Sequence, residues 1–76
     1  MGRAWYAVRT KPRREFEAES NLEAQGFRVW LPKTTRVVRH ARRVTEKIVP
    51  FFPGYLFVEI DMDAEHWAPI RYTRGV

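Results

Sequence analysis

Three acidic residues alternate at Asp61, Asp63 and Glu65, and carboxylate oxygens this close in sequence are the ligands a hard divalent cation takes. The same residues serve as the N-cap and first-turn acids of a following helix. Their spacing departs from an EF-hand loop, so capping is the preferred assignment and no metal site is expected. The histidines, His40 and His66, lie far apart on different expected elements, and neither reads as a general acid or base. The chain has no G-x-x-x-x-G-K-[ST], G-x-S-x-G or H-E-x-x-H pattern and no cysteine, which removes thiolate nucleophiles, thiolate zinc sites and disulfides. No catalytic residue, metal or cofactor is expected, and the chain does not read as an enzyme.

Two further groups could bind a macromolecule. Lys33, Arg36, Arg39, Arg42, Arg43 and Lys47 fall in one stretch with only Glu46 as an acidic neighbour. Such a run is either a solvated surface or, because like charges repel, a surface that meets a polyanion through phosphate contacts. The second group is aromatic: Phe51, Phe52, Tyr55 and Phe57 in "FFPGYLFVEI". A chain of this size has too few elements to cover both faces of a sheet. The aromatic residues are then an uncovered patch, suited either to a protein interface or to base stacking.

The elements that must position these groups follow from local pattern. Segment 5–10, "WYAVRT", is aromatic and β-branched and reads as a strand closed by Pro12. Segment 12–26, "PRREFEAESNLEAQG", reads as a helix ending at Gly26, with Ala18 and Leu22 on one narrow apolar stripe and Phe16 off it. Segment 27–32 gives a short strand stopped by Pro32. Segment 33–50, rich in threonine and valine, reads as a β-hairpin with its tip at 39–43. Pro53 and Gly54 make a turn into strand 55–60, where Leu56, Val58 and Ile60 alternate with Tyr55, Phe57 and Glu59. The aliphatic face belongs under the helices. Segment 61–76 reads as a second helix, capped by Asp61 or Asp63 and ended or kinked by Pro69, with "RGV" turning towards another strand. This order implies an α+β fold, a mostly antiparallel sheet flanked by helices, in a single domain over 1–76.

Composition agrees with these readings. The 76 residues are 45% hydrophobic and 30% charged, so folding is expected rather than disorder. A formal charge of +5 and a pI near 10.2 favour a polyanionic partner, nucleic acid before membrane. Without a signal peptide or a spanning apolar run, the protein reads as soluble, cytoplasmic and not membrane-bound.

The segments "WYAVRTKPRREFEAESNLEAQGFRVWLP", "FFPGYLFVEI" and "TRGV" resemble, over nearly the whole chain, the N-terminal domain of the NusG transcription elongation factors. The ending "YTRGV" is similar to the operon-targeted RfaH-like branch of that family. The resemblance implies a non-enzymatic, monomeric transcription elongation and antitermination factor that docks on the clamp helices of the largest subunit of bacterial RNA polymerase. By that resemblance Phe52, Pro53, Tyr55 and Phe57 form the docking pocket, with Arg9 at its edge. Lys11, Arg14, Asn21, Gln25, Thr73 and Arg74 then approach the non-template DNA strand, while Ala24 stands where a polar base reader would be useful. Family members continue into a further strand and helix and a C-terminal KOW domain, so the resemblance implies that 1–76 is a fragment lacking the final strand and helix. The alternative is a stand-alone RNA- or DNA-binding module that stacks bases on the same aromatics.

Overall fold

Segment 55–60, the richest in alternating aliphatic and aromatic side chains, is the middle strand of the sheet. In the computed structural model, which describes residues 2–63 and 66–76, the chain forms β1 (Ala4–Arg9), α1 (Glu15–Ala24), β2 (Arg28–Trp30), β3 (Lys33–His40), β4 (Arg43–Pro50), β5 (Tyr55–Ile60) and a 3₁₀ helix (Ala68–Tyr72). β5 pairs antiparallel with β1 on one side and β2 on the other. Leu56, Val58 and Ile60 are buried on one face of β5, against Ala18 and Leu22 of α1, Leu31, and Ile70 of the 3₁₀ helix. Removing each such aliphatic side chain from water contributes roughly 1.5–3 kcal/mol. The fold is therefore α+β and antiparallel, with the helices on the aliphatic face.

Turn chemistry sets the ends of these elements. Gly26, at a left-handed φ of 93°, closes α1 in a Schellman arrangement: its N–H donates to the Glu23 carbonyl at 2.9 Å, and the Phe27 N–H donates to the Leu22 carbonyl at 3.1 Å. At the entry to β5, the Tyr55 N–H donates to the Phe52 carbonyl at 3.1 Å across Pro53 and Gly54, and Gly54 has a φ of 87°. This is the proline-then-glycine pattern of a type II turn. α1 begins at Glu15 rather than at Pro12. The Arg14 N–H first closes a turn onto the Lys11 carbonyl at 3.0 Å, with Arg13 left-handed at φ 61°.

Two expectations are corrected. The second helix is a single 3₁₀ segment at Ala68–Tyr72 preceded by Trp67, and Pro69 sits in its first turn, where its missing N–H costs nothing, instead of ending it. Asp61 accepts the Asp63 N–H at 3.1 Å in a local turn, and neither residue caps the 3₁₀ helix; Ala64 and Glu65, also part of the expected helix, lie outside the described residues. "RGV" forms a turn that returns to the loop after β1, with the Gly75 carbonyl accepting the Lys11 N–H at 2.7 Å, rather than opening a strand.

The hairpin is separate from the three-stranded sheet: β3 and β4 form their own two-stranded ribbon. Eight residues per strand span about 27 Å, and the molecule measures 53 × 21 × 17 Å. Its radius of gyration, 14.8 Å, exceeds the value of about 11 Å for a compact chain of this length. The hairpin is therefore an arm. Its base is tied down by Lys33, which donates to Glu19 at 2.9 Å and to the Leu31 carbonyl at 3.0 Å, and by the Phe51 N–H on the Pro32 carbonyl at 2.7 Å.

At the tip, Ala41 and Arg42 connect the strands, and Ala41 holds a left-handed φ of 57°. Such a φ at the first turn residue is the position that glycine occupies in a type II′ turn, and it strains an L-residue by about 1–2 kcal/mol. Ala41→Gly is expected to strengthen the arm locally by about 1 kcal/mol. The check is amide hydrogen exchange, which should slow several-fold in β3 and β4 and stay constant in β5.

Candidate docking and nucleic-acid surfaces

The face of the sheet opposite the helices is assembled by register. Residues paired directly across an antiparallel ladder share a face. Arg9 lies opposite Tyr55, Ala7 opposite Phe57, and Trp5 opposite Glu59; on the other side Trp30 lies opposite Phe57 and Arg28 opposite Glu59. Every aromatic side chain of this set therefore projects from the side away from α1 and the 3₁₀ helix, which no helix covers among the described residues.

The rings form a connected row. Phe51 meets Phe52 edge-on at 4.8 Å between centroids, Phe52 meets Phe57 at 6.2 Å, Phe57 meets Trp30 at 5.3 Å, and Trp30 meets Trp5 at 6.3 Å. These separations fall in the range where ring pairs attract beyond their area burial. Phe57 is the central link and is half-buried, whereas Trp30, at 55% exposed, and Phe51, at 57%, remain open to solvent. An exposed apolar row of this extent marks an interaction surface.

The turn that sets Phe52 against Phe57 is held from behind. The Glu15 carboxylate, itself buried, accepts the Gly54 N–H at 2.9 Å, and the Gly54 carbonyl accepts the Thr10 N–H at 2.8 Å. Arg9, Pro53 and Tyr55 line a shallow cavity of about 600 Å³ at this end of the row. Of the five residues expected for the docking pocket, Tyr55, Phe57 and Arg9 share the sheet face, and Phe52 and Pro53 join it from the turn. Trp5 and Trp30 extend the row and were not singled out from sequence. The alternation Trp5, Ala7, Arg9 already puts Trp5 on the same face as Arg9. Trp30 needed the pairing of β2 with β5, which no local pattern supplies.

The residues expected near DNA divide by exposure. Lys11, Arg14 and Arg74 gather around Glu17, which pairs with Arg14 at 2.9 Å and stands 4.0 Å from Arg74; this small concavity includes Gly75. Asn21 donates to the Arg74 carbonyl at 3.1 Å, and Gln25 donates to the Thr73 hydroxyl at 2.7 Å. Thr73 is buried and donates in turn to the Pro69 carbonyl at 2.9 Å. The two amides and Thr73 thus brace the last turn against α1, leaving the three cations as the outward-facing charges of this group. In the arm, Arg42 lies at the tip, and Arg39 and Arg43 project from opposite faces.

Among the described residues no group of acids and histidines could hold a metal ion, and no helix is long and apolar enough to cross a membrane.

Residues 3–76 match the family model described as "Transcription termination factor nusG". The "Transcription termination/antitermination protein NusG" of Staphylococcus epidermidis is similar at 33% identity over 81 aligned residues, covering 95% of this chain and 44% of that protein. The protein of the same name from Staphylococcus aureus is similar to the same extent. The chain thus spans less than half the length of these curated relatives.

Proposed function

Because this chain belongs to the NusG family, we propose that it is the RNA polymerase-binding domain of a cytoplasmic transcription elongation and antitermination factor. The observation that carries this reading is the exposed aromatic row from Phe51 to Trp5 on the sheet face that no helix covers. The partner is the clamp-helix coiled coil of the polymerase's largest subunit. Its tip supplies apolar side chains to the row, and Arg9 at the margin meets a carboxylate or a helix-terminal carbonyl. Binding of this kind makes and breaks no covalent bond. It favours whichever polymerase conformation presents the coiled coil in docking position, and only to the extent of its preference for that conformation. A polymerase held in its closed form resists pausing.

Docked in this way, the cations Lys11, Arg14 and Arg74, with Asn21, Gln25 and Thr73 behind them, lie towards the non-template strand, and the basic arm tip at Arg39, Arg42 and Arg43 also faces nucleic acid. The "YTRGV" ending is in keeping with the operon-targeted branch of the family. The test is a titration of this chain against an isolated clamp-helix fragment. Saturable binding is expected, with Phe52→Ala, at the rim of the row, weakening it about tenfold, as for a residue of intermediate importance. A folded chain that ignores the fragment but binds single-stranded oligonucleotides through Tyr55 would replace this reading with the base-stacking one.

A further inference from the structure

The two ends of the aromatic row differ in charge. Register puts Arg9 beside Tyr55 at one end, while at the other Glu59 lies directly opposite Trp5 on β1 and Arg28 on β2. Of the described residues that β1, β2 and β5 turn to this side, Glu59 is the only acid. Its rung stands four residues from that of Arg9, about 14 Å along the strands.

The surroundings of Glu59 suit a cation. Trp5 and Trp30 come from the strands on either side of β5, and their indoles meet edge-on at 6.3 Å between centroids. They reach over the middle strand beside Glu59 and leave its side chain only 17% exposed. A carboxylate drawn partly out of water attracts a positive charge more strongly than a fully solvated one. Tryptophan presents the aromatic face to which cations bind best, and both indoles stay open to solvent. A phosphate backbone is repelled by the same carboxylate, so this corner favours a protein partner over a nucleic acid.

The corner already has an internal cation, and it is held loosely. Arg28 reaches Glu59 at 3.5 Å with its side chain 74% exposed, whereas the pairs Arg14–Glu17 and Lys33–Glu19 close to 2.9 Å. A pair with one member so solvated contributes little. An incoming cation that also gains contact with an indole face displaces Arg28, which returns to water at small cost.

We propose that Trp5, Trp30 and Glu59 form a receptor for a cationic side chain, arginine or lysine, on the coiled coil that docks along the row. The inference rests on the docking reading and adds polarity to it. With a cation bound at Glu59 and an acceptor at Arg9, the partner can lie along the row in one direction only. Arg28 acts as the internal competitor for the receptor.

The test is calorimetric titration of the chain with the isolated clamp-helix fragment, using two substitutions whose effects have opposite signs. Glu59→Gln is expected to weaken binding on the order of tenfold. Arg28→Gln, which removes both the competitor and its repulsion of the incoming charge, is expected to tighten binding about two- to fivefold. A pair with a merely structural role would make both variants bind more weakly. Thermal melts establish that both variants are folded. The arginines and lysines of the fragment are then changed to glutamine one at a time. One of these changes is expected to cost about tenfold against the parent chain and less than about twofold against Glu59→Gln. Parental affinity in Glu59→Gln, no tightening in Arg28→Gln, or equal losses against parent and Glu59→Gln at every cation of the fragment would each overturn the receptor while leaving docking intact. A folded parent chain that does not bind the fragment would overturn docking and the receptor together.

Discussion

Gly75→Ala is expected to destabilise the chain by about 3 kcal/mol or more, enough to consume much of the roughly 4–11 kcal/mol available to a domain of 76 residues. A β-carbon at position 75 would stand 2.7 Å from the backbone nitrogen of Ala18 and 3.0 Å from both its α- and β-carbons. Those atoms are the backbone and β-carbon of a completely buried residue in the first turn of α1, so no flexible side chain can yield. The φ of 97° adds backbone strain for any residue with a side chain. Relief requires the last turn to lift off the helix, which breaks the 2.7 Å hydrogen bond from the Lys11 N–H to the Gly75 carbonyl and withdraws Val76 from the core margin. Urea denaturation followed by circular dichroism reads the effect directly. A midpoint shared with the parent chain would show that residues 73–76 do not pack on α1 as described.

Phe57→Ala is expected to weaken clamp-helix binding by about 2–3 kcal/mol, on the order of 30- to 150-fold. Phe57 touches both Trp30 and Phe52, and removing it divides the row into a tryptophan pair and a phenylalanine pair with a gap between them. Central, well-packed aromatics dominate binding energy, whereas rim residues mainly exclude water. The predicted order of losses is therefore Phe57 above Phe52. Because Phe57 lies on the face away from the buried cluster, its loss should cost far less stability than binding. Isothermal titration calorimetry beside a thermal melt separates the two quantities, and a variant that melts normally yet binds like the parent would exclude the row as the docking site.

Local pattern carried much of this architecture. The period-two alternation of 55–60 fixed both faces of β5, the spacing of Ala18 and Leu22 identified the buried side of α1, and the low apolar content of 39–43 located the hairpin tip. Each of these depends on neighbours a few residues away. What escaped depends on pairing across longer distances. Trp30 joins the aromatic row only because β2 lies beside β5, and the arm separates from the main sheet because β2 rather than β3 takes that edge. The segment after Asp61 was misread for a different reason. A proline and several polar residues are compatible with either a kinked α-helix or a short 3₁₀ turn, and the tight closure of Gly75 on Ala18 favours the shorter form. Asn21, Gln25 and Thr73 have the chemistry of base readers, and only their mutual hydrogen bonds reveal that they brace the fold.

The position of β5 between β1 and β2 also governs the order in which the chain can fold. The arm closes through neighbours joined by a two-residue turn, an event on the scale of microseconds. β1 and β5 meet across some fifty residues of intervening chain, and the entropy of closing that loop must be met before any of its contacts form. On a ribosome the N-terminal strand and α1 emerge long before the strand that completes their core. The apolar sides of β1 and α1 then wait uncovered, so the period before residue 60 clears the exit tunnel is when they are open to misassociation or to capture by a chaperone.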